Sequence, residues 1–147
     1  MTATVAISFV LDTTNAAVPL GFEAWIDQTK FFDSDHVQGP HTVTMQIADN
    51  DDEQHQLRLI MKNKLPEHTQ LDTNGNIIAD ARLIIADLSF DEIQLGHMFS
   101  EQAKYHHDRN GTAQETVVDK FYREMGCNGT VSLKFTTPVY LWLLENM

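Results

Sequence analysis

Residues 41–90 read HTVTMQIADN DDEQHQLRLI MKNKLPEHTQ LDTNGNIIAD ARLIIADLSF, and this stretch decides the fold. Its first segment alternates, with Val43, Met45 and Ile47 on one face and polar side chains on the other. The acidic segment DNDDE (residues 49–53) follows, and a second alternating run comes after it. The pattern predicts a strand, an acidic hairpin turn and a second strand.

A sharper turn signal lies at LDTNGNI, residues 71–77, where an Asn-Gly pair is central. Asn and Gly tolerate the positive φ angles of a tight primed turn, so we expect a hairpin there, followed by a strand at ARLIIADL, residues 81–88. Asp72 and Asp80 partly imitate the spacing of an EF-hand calcium loop. The glycine and glutamate of such a loop are missing, and the hairpin interpretation is therefore favoured.

Further strand signals flank this stretch, and one short segment favours a helix. Strands are predicted at residues 5–11, 22–27, 130–135 and 139–144, and the best helical candidate is MFSEQAK, residues 98–104. Residues 105–112 are polar and turn-rich, residues 31–37 indicate a loop or edge strand, and residues 116–123 indicate a strand or a helix. The chain is expected to be all-β: a single antiparallel β-sandwich over residues 1–147, jelly-roll-like, with little helix.

The charge of the chain argues against several partners. It carries 21 acidic and 10 basic residues, a net charge of −11, whereas nucleic acid and anionic lipid both attract basic surfaces. The sequence starts without the basic segment of a signal peptide, and its apolar runs are too short to span a bilayer. We expect no nucleic-acid or membrane partner and no signal-peptide secretion. With Cys127 alone no internal disulfide forms, which fits a reducing cytoplasm.

The segment VYLWLL, from Val139 to Leu144, is apolar throughout. Such a run predicts a closing strand that is buried on both faces or covered by a partner. A homo-oligomer formed through this segment is therefore one candidate assembly.

The acidic turn is the first candidate site. Asp49, Asp51 and Asp52, with Glu53, place four carboxylates within five residues. Hard oxygen ligands at this density suit Ca²⁺, which we keep as a candidate cofactor. A solvated acidic hairpin tip explains the same residues.

Aromatic and polar residues supply the second candidate site. Strand alternation sends Trp25 away from the apolar face and places it beside Asp27, where its ring could stack on a sugar. Tyr105 and His107 are the further candidate ligand-binding residues. The chain contains no nucleophile elbow, glycine-rich phosphate loop or H-E-x-x-H motif, so we expect a protein that is not an enzyme.

Several segments resemble known proteins. YHHDRNGT (residues 105–112), MGCNGT (125–130) and TTPVYLWLLENM (136–147) resemble small β-rich proteins of unassigned role from tailed phages of marine cyanobacteria. VPLGFEAWID (18–27), followed by the acidic turn, is similar in style to calcium-dependent carbohydrate-binding modules on jelly-roll sandwiches. The resemblance implies a non-catalytic sandwich that holds a glycan with Ca²⁺ and an exposed aromatic ring.

Three functions follow from these observations. The first is a phage-encoded carbohydrate-binding module, made in the host cytoplasm and carried in the virion. The second is a virion structural or assembly protein that forms a homo-oligomer or contacts other virion proteins. The third is an unrecognised enzyme such as a glycan-active hydrolase. The positions of Trp25 and Trp142 discriminate between the first two, because an exposed platform favours sugar and a broad apolar patch favours assembly.

Overall fold

The structure is a computed structural model that describes residues 3–108 and 115–146. Two antiparallel sheets pack face to face as a β-sandwich, and the chain passes repeatedly between the layers in a jelly-roll-like arrangement. Strands account for 55% of the residues and helices for 12%. The prediction of an all-β sandwich with little helix is confirmed.

The elements follow one another along the chain with short connections. The strands are β1 (Thr4–Thr13), β2 (Gly21–Ile26), β3 (Thr29–Ser34), β4 (His41–Ala48), β5 (Glu53–Lys62), β6 (Thr69–Leu71), β7 (Ile77–Asp80), β8 (Leu83–Phe90), β9 (Ile93–Gln94), β10 (Lys104–His107), β11 (Val117–Lys120), β12 (Glu124–Met125) and β13 (Gly129–Thr137). The helices are α1 (His97–Gln102) and α2 (Val139–Asn146), with a 3₁₀ turn at Pro66–His68. No helix in the described part of the chain has the length and hydrophobicity to span a bilayer.

The two layers differ in size. The smaller sheet has the order β12-β8-β1-β4 with β9 beside β8, and the larger sheet has the order β11-β10-β13-β5-β2-β3. The hairpin β6-β7 forms a separate pair. Every strand pair in the described residues is antiparallel.

The core lies between the inner faces of the two sheets. On β1 the residues Val5, Ile7, Phe9 and Leu11 are at most 1% exposed, as their alternation predicts. The larger sheet contributes the inner rows of three neighbouring strands: Phe22, Ala24, Ile26, Leu57, Leu59, Met61, Val131, Leu133 and Phe135. The polar residues between them on these strands therefore form the outer face of the larger sheet.

The acidic turn joins the two layers and is not a hairpin, so that part of the prediction is wrong. Strand β4 pairs with β1 in the smaller sheet, whereas β5 pairs with β2 and β13 in the larger one. Both strands still bury their alternating apolar residues, because each faces the core from its own side. Alternation shows which face of a strand is buried, but it does not show which strand lies beside it.

The second turn signal does form a hairpin, with a different turn from the one expected. Residues 72–76 make a five-residue loop between β6 and β7, and only Gly75 among them has a positive φ, at 83°. The Asp72 carboxylate accepts hydrogen bonds of 2.9 Å from the backbone N–H groups of Asn74 and Asn76. The aspartate therefore closes the loop in place of a two-residue primed turn.

The apolar segment that begins at Val139 is a helix, so the predicted closing strand is wrong. Val139, Trp142 and Leu143 are buried, and Tyr140, Leu141 and Leu144 are exposed, which is helical spacing with one face on the core. An unbroken apolar run fits a strand and a helix equally well, and its sequence therefore could not decide between them.

The polar segment at residues 105–112 begins as strand β10, and the prediction of a turn there is wrong for residues 105–107. Residues 109–112 lie outside the described part of the chain. The ambiguous segments resolve as the edge strands β3 and β11, and the helical candidate is confirmed as α1.

Candidate functional site

The outer face of the larger sheet carries the best candidate site, and the pairing of β5 with β13 builds it. The register places Gln54 opposite Thr136 and Gln56 opposite Lys134. Their neighbours along each strand, such as Leu57 and Leu133, point into the core, so these four polar side chains point outward. Strand β2 ends at Ile26, which leaves the edge of β5 open beside them.

These residues surround a cavity of about 410 Å³, which we call the outer groove. It is lined by Asp27, Gln54, His55, Gln56, Lys134, Phe135, Thr136 and Trp142. Its lining therefore combines carboxylate, amide, ammonium, hydroxyl and aromatic groups. This volume lies within the usual range of small-ligand sites, about 300 to 1,000 Å³.

Asp27 forms the wall of the outer groove at the end of β2. Its φ of 55° turns the chain out of the strand, and both carboxylate oxygens are used. Oδ1 accepts a 2.9 Å hydrogen bond from the Gln56 backbone N–H, and Oδ2 lies 2.7 Å from His55 Nδ1. Arg58 Nη2 also donates to the Asp27 carbonyl oxygen at 2.8 Å. Asp27 is thus held rigidly against β5.

His55 links this carboxylate to the end of strand β13. Its ring stacks on Phe135 with centroids 5.3 Å apart, and its Nε2 lies 3.4 Å from Thr137 Oγ1. An Asp–His–hydroxyl chain has the connectivity that activates nucleophiles in hydrolases. Thr137 is only 2% exposed, however, so its hydroxyl does not face a substrate. The Asp27–His55–Thr137 hydrogen-bond network therefore orients the groove wall, and its hydroxyl is not accessible as a nucleophile.

Trp142 closes the inner end of the outer groove. The Trp142 ring, on helix α2, stacks against Phe90 with centroids 5.6 Å apart. It packs edge-on against Phe135 with centroids 6.2 Å apart. The residue is 6% exposed. It presents an apolar edge to the groove and offers no open platform.

Trp25 lies on the same outer face, as the alternation predicts, but it is half-buried. Its Nε1 donates a 2.9 Å hydrogen bond to Glu23, and the Arg58 guanidinium lies 5.2 Å from the ring centroid. The Lys30 ammonium lies 5.8 Å from the same centroid. The ring therefore interacts with cations of its own sheet. It lies near Asp27 but outside the lining of the outer groove.

Tyr105 and His107 lie on the opposite, inner side of the larger sheet, and the structure does not bring them to Trp25. Tyr105 is 7% exposed, and its hydroxyl donates to the Cys127 carbonyl and accepts from the Cys127 N–H. Burial raises the pKa of the Tyr105 hydroxyl. His107 Nε2 lies 2.7 Å from Asp119 Oδ2. Both side chains thus belong to the packing of β10 and are left out of the site proposed below.

The carboxylates of the acidic turn make local contacts in the structure. Asp49 Oδ1 accepts a 2.9 Å hydrogen bond from the Val139 backbone N–H, at the start of α2. Over residues 3–108 and 115–146 there is no group of three His, Cys, Asp or Glu side chains that could hold a metal ion. Calcium binding through Asp49, Asp51 and Asp52 stays a prediction, and an experiment for it is given below.

The sequence patterns did not identify most residues of the outer groove as site residues. Gln54 and Gln56 show the alternation of an outer face, and Lys134 and Thr136 show it on β13. The site depends on the pairing of strands β5 and β13, which are far apart in the sequence. Only their register brings the four side chains together.

The chain has a likeness among solved structures. No protein-family model matches the chain, and no curated protein matches it. Among solved structures, the chain is similar to a carbohydrate-binding module, vCBM60 in complex with galactobiose. The TM-score is 0.46 and the sequence identity 11%, over 87% of this chain and 96% of that one.

Proposed function

We propose that the protein binds carbohydrate in the outer groove and does not alter it chemically. The observation that carries this proposal is the lining, which combines the polar side chains of Gln54, Gln56, Lys134 and Thr136 with the aromatic side chain of Trp142. Amide and hydroxyl groups both donate and accept hydrogen bonds, and they therefore match the hydroxyls of a sugar. An aromatic edge matches its C–H surface.

The contacts of the acidic groups favour binding over hydrolysis. A glycosidase needs a carboxylic acid and a second carboxylate that face the sugar. The Asp27 carboxylate is engaged by His55 and by the Gln56 N–H, and Glu53 Oε2 lies 3.7 Å from the same imidazole. The Asp27 carboxylate is thus held by the histidine on the groove wall, and Glu53 is not among the residues that line the groove.

A glycan array tests the proposal with matched glutamine variants. We expect the protein to bind a defined set of glycans, and Gln54→Ala or Gln56→Ala to weaken that binding about tenfold through the loss of direct hydrogen bonds. Gln46→Ala changes an exposed glutamine on β4, in the other sheet, and should bind like the parent. Equal binding by all variants contradicts the groove as the site, and a glycan that is cleaved during incubation contradicts binding without chemical change.

The phage setting belongs to the same proposal. The resemblance of three segments to proteins of tailed phages supports a module that is made in the host cytoplasm and then carried in the virion. Mass spectrometry of purified virions tests this point, because a module that acts on the particle must be found in it.

A second candidate function, assembly with copies of itself, is favoured by one observation. Helix α2 exposes Tyr140, Leu141 and Leu144, at 58%, 45% and 67%. Adjacent exposed apolar residues often mark an interaction surface. Sedimentation velocity should then show an oligomer that Leu144→Asp dissociates, whereas a monomer at all concentrations contradicts this function.

A further inference from the structure

A second cavity adjoins the outer groove on the same face of the larger sheet. Its volume is about 440 Å³. It is lined by Gln56, Gln102, Lys104, His106, Ser132 and Lys134. Gln56 and Lys134 also line the outer groove, so the two cavities share a wall. We call this second cavity the lysine cavity.

The lysine cavity is positive on a strongly acidic protein. Its lining contains no Asp or Glu among the described residues, although the chain has a net charge of −11. The larger sheet neutralises other cations: Lys30 pairs with Asp33 at 2.8 Å, and Lys62 pairs with Asp33 at 2.7 Å. Lys104 and Lys134 take part in none of the ion pairs found in residues 3–108 and 115–146.

The strand register adds a further cation beside this cavity. Lys104 on β10 is directly opposite Lys120 on β11. Like charges that face each other across paired strands are destabilising. An anion bound at Lys104 would relieve this repulsion. The pairing of Lys104 with Lys120 is therefore an arrangement that a negatively charged ligand stabilises.

We propose that the glycan is acidic, and that a carboxylate on it binds in the lysine cavity while its neutral part lies in the outer groove. This inference rests on the proposed function. Lysine ammonium groups make charge-assisted hydrogen bonds to carboxylates, and Ser132 with Gln102 can bond the hydroxyls nearby. A glycan with isolated uronate groups suits these few cations. Duplex nucleic acid carries one charge per about 1.7 Å and needs a longer basic surface.

The test compares each acidic glycan with its own neutral form. An array carries glucuronate- and galacturonate-containing oligosaccharides, each beside its methyl ester, together with neutral oligosaccharides and oligothymidylate. We expect the acid to bind about tenfold more tightly than the ester at low salt. Because salt screens exposed charges, the ratio should fall as NaCl is raised from about 20 to about 500 mM.

Charge variants locate the effect. Lys104→Gln and Lys134→Gln should lower the ratio of acid to ester binding. Arg123→Gln removes the same charge from an exposed residue whose carbonyl accepts from Ile85 in the other sheet, and it should leave the ratio unchanged.

Each outcome decides a separate point. Esters that bind as tightly as acids overturn the acidic ligand and leave carbohydrate binding intact. Oligothymidylate that binds as tightly as the uronates shows a general anion surface and also overturns it. An array on which no carbohydrate binds, acidic or neutral, overturns the proposed function itself.

Discussion

Lys64 shows at the residue scale how a charged side chain is accommodated inside this protein. Its side chain is only 1% exposed, and Nζ lies 2.5 Å from both Asp80 Oδ1 and the Gly126 carbonyl oxygen. Thr69 donates a further 2.7 Å hydrogen bond to the same carboxylate oxygen. Asp80 therefore acts as the partner of a buried lysine and anchors the β6-β7 hairpin.

Removal of this partner should cost much stability. We expect Asp80→Ala to lower the free energy of unfolding by about 3 kcal/mol, because a buried charge is left without its partner. Asp35→Ala is the matched control, since Asp35 pairs with Lys62 at 3.5 Å and its side chain is 90% exposed. The control should change stability far less. Urea denaturation measures both, and similar losses for the two variants contradict the structural role of Asp80.

Glu23 gives the protein a predictable sensitivity to acid. Hydrogen bonds from Trp25 Nε1 at 2.9 Å and Lys62 Nζ at 3.0 Å lower the pKa of its carboxyl below the ordinary 4.5. A lowered pKa contributes stability that is present above pH 4.5 and is lost as pH falls through the folded-state value. Glu23→Gln should therefore be less stable than the parent at neutral pH.

The pH dependence separates this effect from packing. The difference in urea midpoint between the parent and Glu23→Gln should shrink as pH falls below 4.5. A difference that stays constant from neutral pH to about pH 3 shows that Glu23 acts by packing alone and not through its charge.

Helix α2 is the element where burial can be tested on two adjacent leucines. Leu143 is 4% exposed and Leu144 is 67% exposed. Leu143→Ala should destabilise the protein by about 2 to 4 kcal/mol, because it opens a cavity under the helix. Leu144→Ala should stay within about 0.5 kcal/mol. Thermal or urea unfolding of the two variants measures this, and equal large losses indicate that both faces of the segment are covered, as in a buried strand or an interface.

The elements also show what the sequence could and could not reveal. The strands β1, β2, β5 and β13 were predictable because one face of each is buried and their apolar residues alternate. Helix α2 was not predictable, because its apolar residues are consecutive and no polar residue between them shows a helical or a strand period. Strand β10 was not predicted because its segment is polar. Tyr105 is its buried residue, and His107 is partly buried.

The candidate site was less predictable than the fold, and the reason is physical. Asp27 was identified because strand alternation places it beside Trp25. Gln54 and Gln56 become part of a site only because strand β13 pairs beside β5. Lys134 lies on β13, far from them in the sequence. Single-strand patterns do not contain that register, which is set by packing of the whole sandwich.

For the whole molecule, the acidic turn at residues 49–52 is a connection between the two layers, and its response to ions distinguishes two accounts. A carboxylate cluster that binds no ion is relieved of repulsion by any salt. The solvated tip thus predicts equal melting temperatures in Ca²⁺ and Na⁺ at matched ionic strength, and a slightly higher value for Asp51→Asn. A rise specific to Ca²⁺ that Asp51→Asn weakens establishes the calcium site, because a ligand that binds the native state stabilises it.

The location of the bound glycan decides whether this β-sandwich binds carbohydrate on the outer face of its larger sheet. Isotope-labelled protein is titrated with the tightest-binding glycan from the array, and the amide shifts are followed by NMR. We predict that the largest changes occur at residues 54–56 and 134–136, around Asp27 and Trp142. Changes confined to the exposed face of α2 or to the acidic turn, or no change at all, contradict binding in the outer groove.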